Sequence, residues 1–295
     1  MSFDRSFTPC LPFRAWVVTP DAALGDWLSA HRISFEPASS SSLADGLELN
    51  PKDLKRFDRQ SLLLMRLLRL AGVQDWSAED RERIPVQTAV GPAQTDRDAL
   101  VRWGRRVEPS EPLPMVQPAQ AVSLLPNTPL SLVSIAFGLR GEGAVWAGFA
   151  EAGCRALLSG ITSILDGKTE QALVLGVSSP DNYFVRQVWQ RGFHPLQHPP
   201  CEVAVAILLG ASDAPGRLCR VSQTAPEALA PMAVHDSSSR LISRLSPDVS
   251  EVLPEGLTTT PLLGLASLAA DPQGGQLSVP VTDGHQWQFF SEARV

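Results

Sequence analysis

Clusters of basic residues are missing from this 295-residue chain, which carries a formal net charge of −6 at pH 7. Of its 25 basic residues, three are lysines: Lys52, Lys55 and Lys168. Nucleic acids and anionic membrane surfaces are bound by clustered Lys and Arg, because their phosphate charges must be neutralised. The composition therefore predicts a protein that binds neither nucleic acid nor a membrane surface.

Cysteine is also scarce. The four cysteines, Cys10, Cys154, Cys201 and Cys219, lie far apart, and none belongs to a Cys-x-x-Cys pair. This spacing indicates neither a zinc cluster nor a disulfide framework. We expect no metal and no other cofactor, and the cysteine usage is typical of the reducing cytosol.

Long apolar runs are absent as well. No segment approaches the roughly 20 apolar residues that a membrane-spanning helix needs. The opening MSFDRSFTPCLPFRAWVV lacks the apolar centre of a secretory signal. The sequence therefore predicts a soluble, cytoplasmic protein, whose 44% apolar content can fill the core of one large or two moderate domains.

Segments with strand and helix character alternate along the chain. Strands are predicted at 13–18, 84–92, 171–179, 201–211 and 217–223, with two more within 275–293. Helices are predicted at 21–30, 51–72, 96–107, 156–167 and 260–270, and the serine-rich segment 36–46 is predicted to be a loop. This alternation is typical of an α/β protein with a largely parallel sheet covered on both faces.

The stretch GLRGEGAVWAGFAEAGCRALLSG, residues 138–160, combines a glycine turn, a short apolar strand and the start of a small-residue helix. This is a layout that can present a nucleophile at the beginning of the helix. Ala150 stands where that nucleophile would be.

Four segments in order resemble the β-ketoacyl synthases of the thiolase superfamily. They are LKRFDRQSLLLMRLLRLAG, LPNTPLSLVSIAFGLRGEGAVWAGFAEAGCRAL, GKTEQALVLGVSS and PPCEVAVAILLGA, which together extend over about residues 50–211. The resemblance implies a thiolase-like αβαβα layered fold with two pseudo-repeated halves, residues 1–213 and a shortened 214–295. It also implies dimerisation through a strand near the nucleophile.

The residues that perform catalysis in that family are degenerate here. The family uses a cysteine thiolate at a helix N-terminus, two histidines, a lysine and a glycine-rich oxyanion loop. Alignment on the glycines of 138–160 places Ala150 at the nucleophile. His235, in HDSSS, matches one histidine position only in part, and Thr258 replaces the other. No lysine follows Lys168, and the counterpart of the oxyanion loop reads VTDGHQWQFF.

These departures resemble the chain-length factors, which are non-catalytic partners of ketosynthases. The resemblance implies a heterodimer with an active β-ketoacyl synthase in type II polyketide biosynthesis or a fatty-acid-like pathway, with the aryl polyene type as a narrower assignment. An acyl carrier protein would take part only indirectly. Trp146 and Phe149 would reach the partner interface and shape the acyl channel, whereas the alternative is that both pack in the core of the chain.

Two other functions stay open. An active acyltransferase or decarboxylase would use His235 or Cys154, which lies one helical turn after Ala150. Cys154 is equally well explained as a buried, inert thiol. The third possibility is a structural homodimer without a ketosynthase partner.

Other polar residues give weaker signals. His194 and His198 have the spacing of a helical metal pair, but the neighbouring prolines predict a loop. Ser178 and Ser179 follow a strand but lack the G-x-S-x-G pattern of a serine hydrolase. His31 and His285 have no partner that the sequence identifies.

Overall fold

A computed structural model describes most of the chain, and its described residues are 3–30, 32–39, 43–50, 57–91, 125–148, 150–179, 201–212, 214–224, 259–270, 275–280 and 286–291. Nine strands lie in these segments: β1 Phe3–Thr19, β2 Phe35–Pro37, β3 Val86–Val90, β4 Gly143–Ala147, β5 Ala172–Ser178, β6 Val203–Leu209, β7 Gly216–Thr224, β8 Gly275–Pro280 and β9 Gln286–Ser291. The helices of these segments are α1 Ala22–Ala30, α2 Arg59–Leu70, a 3-10 turn Val73–Asp75, α3 Ala78–Arg83, α4 Thr128–Phe137, α5 Ala150–Leu165 and α6 Thr260–Ala270.

The strands form one mixed sheet in the order β4-β3-β5-β6-β1-β7-β9-β8, with β2 also pairing with β1. Parallel pairs are β1/β2, β3/β4 and β3/β5, while the other five pairs are antiparallel. The prediction of a largely parallel sheet is therefore wrong. Parallel strands need a crossover connection, and the chain from β4 crosses through α5 to β5 on the other side of β3, whereas the short β8–β9 connection permits only an antiparallel pair.

Strand β1 joins the two predicted halves. Its residues Phe13–Val18 pair with β6, and Phe3–Ser6 and Leu11–Phe13 pair with β7. The predicted boundary at residue 213 lies between β6 and β7, so the strands of both halves belong to one hydrogen-bonded sheet. The division into 1–213 and 214–295 stays a prediction.

Two apolar clusters cover the two faces of the sheet. Helices α2 and α4 pack on one face, and α1, α5 and α6 pack on the other. Helix α6 contacts α5, β1, β6 and β8, which places it next to α5 in the interior. None of the helices in the described segments is long and apolar enough to cross a bilayer.

Most predicted elements are confirmed, with differences at their ends. The helix predicted at 51–72 is wrong at its start, because residues 57 and 58 are not helical and α2 begins at Arg59. Asp58 adopts an extended conformation and accepts a hydrogen bond from the Ser61 backbone N–H at 2.7 Å, which caps the helix there. Strand β1 begins as early as Phe3, and β2 takes up part of the predicted 36–46 loop. The helix predicted at 96–107 lies outside the described residues.

A disulfide links Cys10 of β1 to Cys219 of β7, with the two Cα atoms 4.4 Å apart. It lies where the β1/β7 register shifts between Ser6 and Leu11. The sequence spacing does not indicate it, because the two cysteines are 209 residues apart and meet only through the strand pairing. Disulfides are rare in a reducing cytosol, so this bond weighs against the cytoplasmic prediction.

The disulfide predicts a thiol count. Unfolded, unreduced protein should contain two free thiols, Cys154 and Cys201, and reduction should raise the number to four. Cys219→Ser should lower the free energy of unfolding by about 2 kcal/mol, because the cross-link restricts the unfolded chain. Urea unfolding with and without reductant measures this effect, and the Cys10→Ser/Cys219→Ser double variant should not respond to reductant. Four titratable thiols before reduction would contradict the bond.

Candidate active-site position at the start of helix α5

The junction between β4 and α5 depends on one glycine. Gly148 has a φ of 150°, a conformation that residues with a Cβ rarely adopt, and its N–H donates to the Val90 carbonyl at 3.1 Å. Strands β3, β4 and β5 run parallel, so their carboxyl ends lie at the same edge of the sheet as this junction. A side chain in the first turn of α5 is thereby held at that edge.

Ala150 is the first residue of α5 and is 6% exposed. The N-terminus of a helix favours negative charge and lowers the pKa of a cysteine placed there. A methyl group has no atom that can form a thioester. The position that the resemblance assigns to the nucleophile therefore carries no covalent chemistry.

Cys154 lies one turn further along α5 in the apolar cluster that α5 shares with α6. Burial raises the pKa of its thiol far above the ordinary range, and the nearby Glu151 carboxylate raises this pKa further. At neutral pH the thiol is therefore protonated, whereas nucleophilic attack requires the thiolate. The environment fits an inert core thiol.

Glu151 is a site residue that the sequence did not single out. Its carboxylate folds back against the junction, with Oε1 3.4 Å from the position that a Cβ on Gly148 would take. Its other oxygen, Oε2, is buried and has no hydrogen-bond partner in the part of the chain that is described. The sequence does contain a signal for this residue. An acidic residue directly follows the nucleophile position, where its charge raises the pKa of a neighbouring thiol.

Trp146 lies on the edge strand β4 and packs against the α5 side of the sheet while staying partly exposed. Its indole N–H donates to Oε1 of the buried Gln87 on β3 at 3.3 Å. The side chain is therefore anchored within its own chain. Its predicted role at a partner interface or channel stays a prediction.

The remaining predicted site residues, and the histidines that give weaker signals, have no described surroundings. They are Phe149, His31, His194, His198, His235, Thr258 and His285, all of which lie outside the described residues.

A partly buried ion pair holds the same edge of the sheet together. The guanidinium of Arg59, at the start of α2, donates from Nε to Oε1 of Glu202 and from Nη2 to Oε2 at 2.6 Å. Ser179 donates to Glu202 Oε1 at 2.7 Å, and the Thr19 hydroxyl donates to the Glu202 carbonyl at 2.6 Å. These contacts connect α2 with the ends of β1 and β5 and the beginning of β6. Ser179 thus takes part in a structural ion-pair network.

No protein-family model and no curated protein matches this chain. Solved structures do match it over almost its whole length. The first is AntDE:AntF, described as a type II PKS acyl-carrier protein in complex with its ketosynthase bound to the hexaketide. It has a TM-score of 0.68 and 13% identity, and the match covers 98% of this chain and 100% of that one. This chain has the ketosynthase fold.

Two further solved structures agree with that fold. The ishigamide ketosynthase/chain length factor has a TM-score of 0.57 and 12% identity, covering 97% of this chain and 99% of that one. The ketosynthase ApeO in complex with its chain length factor ApeC, from Xenorhabdus doucetiae, has a TM-score of 0.54 and 13% identity, covering 95% and 99%. The thiolase-like α/β fold implied by the sequence is therefore confirmed.

Proposed function

We propose that this chain is a non-catalytic subunit of chain-length-factor type, which pairs with an active β-ketoacyl synthase in type II polyketide biosynthesis. The observation that carries the proposal is the methyl group of Ala150 at the start of α5. The solved complexes of similar fold, which contain ketosynthases and chain length factors, support it. An aryl polyene-type or fatty-acid-like pathway remains the narrower proposal.

In this arrangement the active subunit holds the growing acyl chain on its own cysteine and performs the condensation. This subunit completes the dimer, and its side chains help to set the length of chain that fits, with Trp146 and Phe149 as the proposed contributors. The rival acyltransferase that uses Cys154 would need the thiol to leave the apolar cluster in which it is fully buried. The buried, protonated thiol favours the non-catalytic role.

The edge strand β4 supports a subunit interface. Within the described residues β4 pairs only with β3, so its other edge offers backbone donors and acceptors to a strand of a second chain. Helix α4 flanks β4 through Leu130, whose Cδ2 lies 3.4 Å from the position of a Cβ on Gly143. On the same helix Ile135 is 80% exposed. The proposed interface combines pairing along β4 with burial of Ile135.

Co-expression with ketosynthases encoded beside this chain tests the proposal. We expect a stable 1:1 complex in size-exclusion chromatography, with an interface on the order of 2,000 Å² or more. Ile135→Glu should weaken the complex at least about tenfold, because it places a charge in an apolar interface. The matched control is Leu165→Glu, at the far end of α5, where the leucine is 40% exposed.

Two separate homodimers under all conditions would overturn the heterodimer and favour the structural homodimer instead. Acylation of the purified chain by a malonyl or acyl thioester, abolished by Cys154→Ser, would favour the active acyltransferase.

A further inference from the structure

One oxygen of the Glu151 carboxylate has no hydrogen-bond partner in the described part of its own chain. Its Oε2 atom is buried without a hydrogen-bond partner there, and the residue as a whole is only partly exposed. We infer that the Glu151 carboxylate receives an arginine or lysine side chain of the partner subunit that docks along β4. This inference rests on the proposed heterodimer and identifies a contact that would select the partner.

The unpaired oxygen of Glu151 has an energetic cost. A buried carboxylate oxygen without a donor loses its hydration and gains nothing in return, so such groups in native proteins normally have a partner. The first turn of α5 favours an anion through the helix dipole. That favourable field still leaves Oε2 without a donor. The Cys154 thiol beside it is neutral and cannot balance the charge.

The carboxylate also lies at the end of the strand that would dock a partner. Oε1 lies against Gly148, the residue that directly follows the edge strand β4. A strand added to the outer edge of β4, which has no partner among the described strands, would bring its flanking side chains to the end of β4, where the Glu151 carboxylate is. Because Glu151 is partly exposed and only its Oε2 atom is buried, a side chain of a docked chain can reach the carboxylate.

The charge of the chain favours a basic group on the partner. Because the net charge is −6, such a group is attracted at long range as well as at the contact. An arginine or lysine is the donor that neutralises a carboxylate and completes its hydrogen bonds at the same time. A cation at the corresponding position of a partner thus distinguishes it from ketosynthases that place an apolar or acidic residue there.

Glu151→Gln tests the inference because it keeps the shape of the side chain and removes the charge. The matched control is Glu142→Gln, since Glu142 is an exposed carboxylate directly before β4, at the opposite end of the same strand. Dissociation constants are measured for the complex with the ketosynthase encoded beside this chain, over a range of NaCl concentrations. We expect Glu151→Gln to weaken the complex about thirtyfold or more and Glu142→Gln to change it less than about threefold.

Each outcome decides between distinct alternatives. Equal affinity of the wild-type and Glu151→Gln chains overturns the inference while the heterodimer stands. The inference also fails if the isolated Glu151→Gln variant unfolds at a higher temperature while the affinity of its complex is unchanged. The carboxylate then only lowers the stability of its own chain and takes no part in binding. A wild-type chain that stays monomeric with every ketosynthase tested overturns the proposed function, and the inference with it.

Discussion

Replacing Arg59 by alanine is expected to lower the free energy of unfolding by about 3 kcal/mol. Arg59 donates two hydrogen bonds to the Glu202 carboxylate, whose side chain is only 10% exposed. Without the guanidinium, the carboxylate keeps the Ser179 hydroxyl as its donor among the described residues. The value is at the lower end for a buried pair because the Arg59 side chain is 32% exposed and water partly screens the charges. Urea unfolding followed by circular dichroism measures the change.

Arg83→Ala is the matched control for Arg59→Ala. Arg83 pairs with Glu79 one turn away on α3 at 2.8 Å, but both side chains are exposed. Exposed pairs of this kind contribute less than about 1 kcal/mol. If the two alanine variants were equally stable, the Arg59–Glu202 network would not hold the sheet edge as described.

Placing a cysteine at position 150 should not by itself create a reactive thiol. Ala150→Cys puts a thiol at the helix N-terminus, where the dipole favours the thiolate. Burial at this 6% exposed position opposes that effect, and the adjacent Glu151 carboxylate opposes it further, as burial and Glu151 together raise the pKa of Cys154. Removing the carboxylate charge in the Ala150→Cys/Glu151→Gln double variant should therefore lower the pKa of the new thiol by about one to two units. The thiolate fraction near pH 7 should rise about 10- to 100-fold.

Iodoacetamide labelling at pH 7.5, read by mass spectrometry of the α5 peptide, compares the two cysteine variants. Cys154 lies in the same helix and serves as an internal control, because its full burial should keep it unlabelled in both. The Ala150→Cys/Glu142→Gln variant tests whether any lost carboxylate has the same effect. Equal labelling of the single and double variants would show that Glu151 does not influence this position.

The sequence predicted those elements whose signals are local. The run ALVLGVS, buried at every position, is β5, and the glycine at 167 stops the helix predicted there, with a φ of 69°. The true start of α2 also has a local signal, since an Asp directly before the apolar periodic run is a preferred N-cap residue. Pro51 predicts an earlier start, because proline is common in the first turn of a helix, but α2 begins only at Arg59.

Features that depend on distant parts of the chain could not be read in this way. Strands β5 and β6 are almost wholly buried apolar runs, and such runs look the same whether their neighbours are parallel or antiparallel. The Cys10–Cys219 bond follows from the β1/β7 register, which no local pattern encodes. The burial of the Glu151 Oε2 atom likewise depends on tertiary packing, because an acid in a first helical turn is ordinarily solvated.

The position of β1 has a consequence for the way the protein is made. This strand leaves the ribosome long before its neighbours β6 and β7, and Thr19 bonds to Glu202, 183 residues later. Until those strands appear, β1 has only the short pairing of its end, Val17–Thr19, with β2, and a strand with unpaired edges invites aggregation. Pairings of such long sequence separation also form slowly. Yield in a heterologous host should therefore depend on translation speed and chaperone supply.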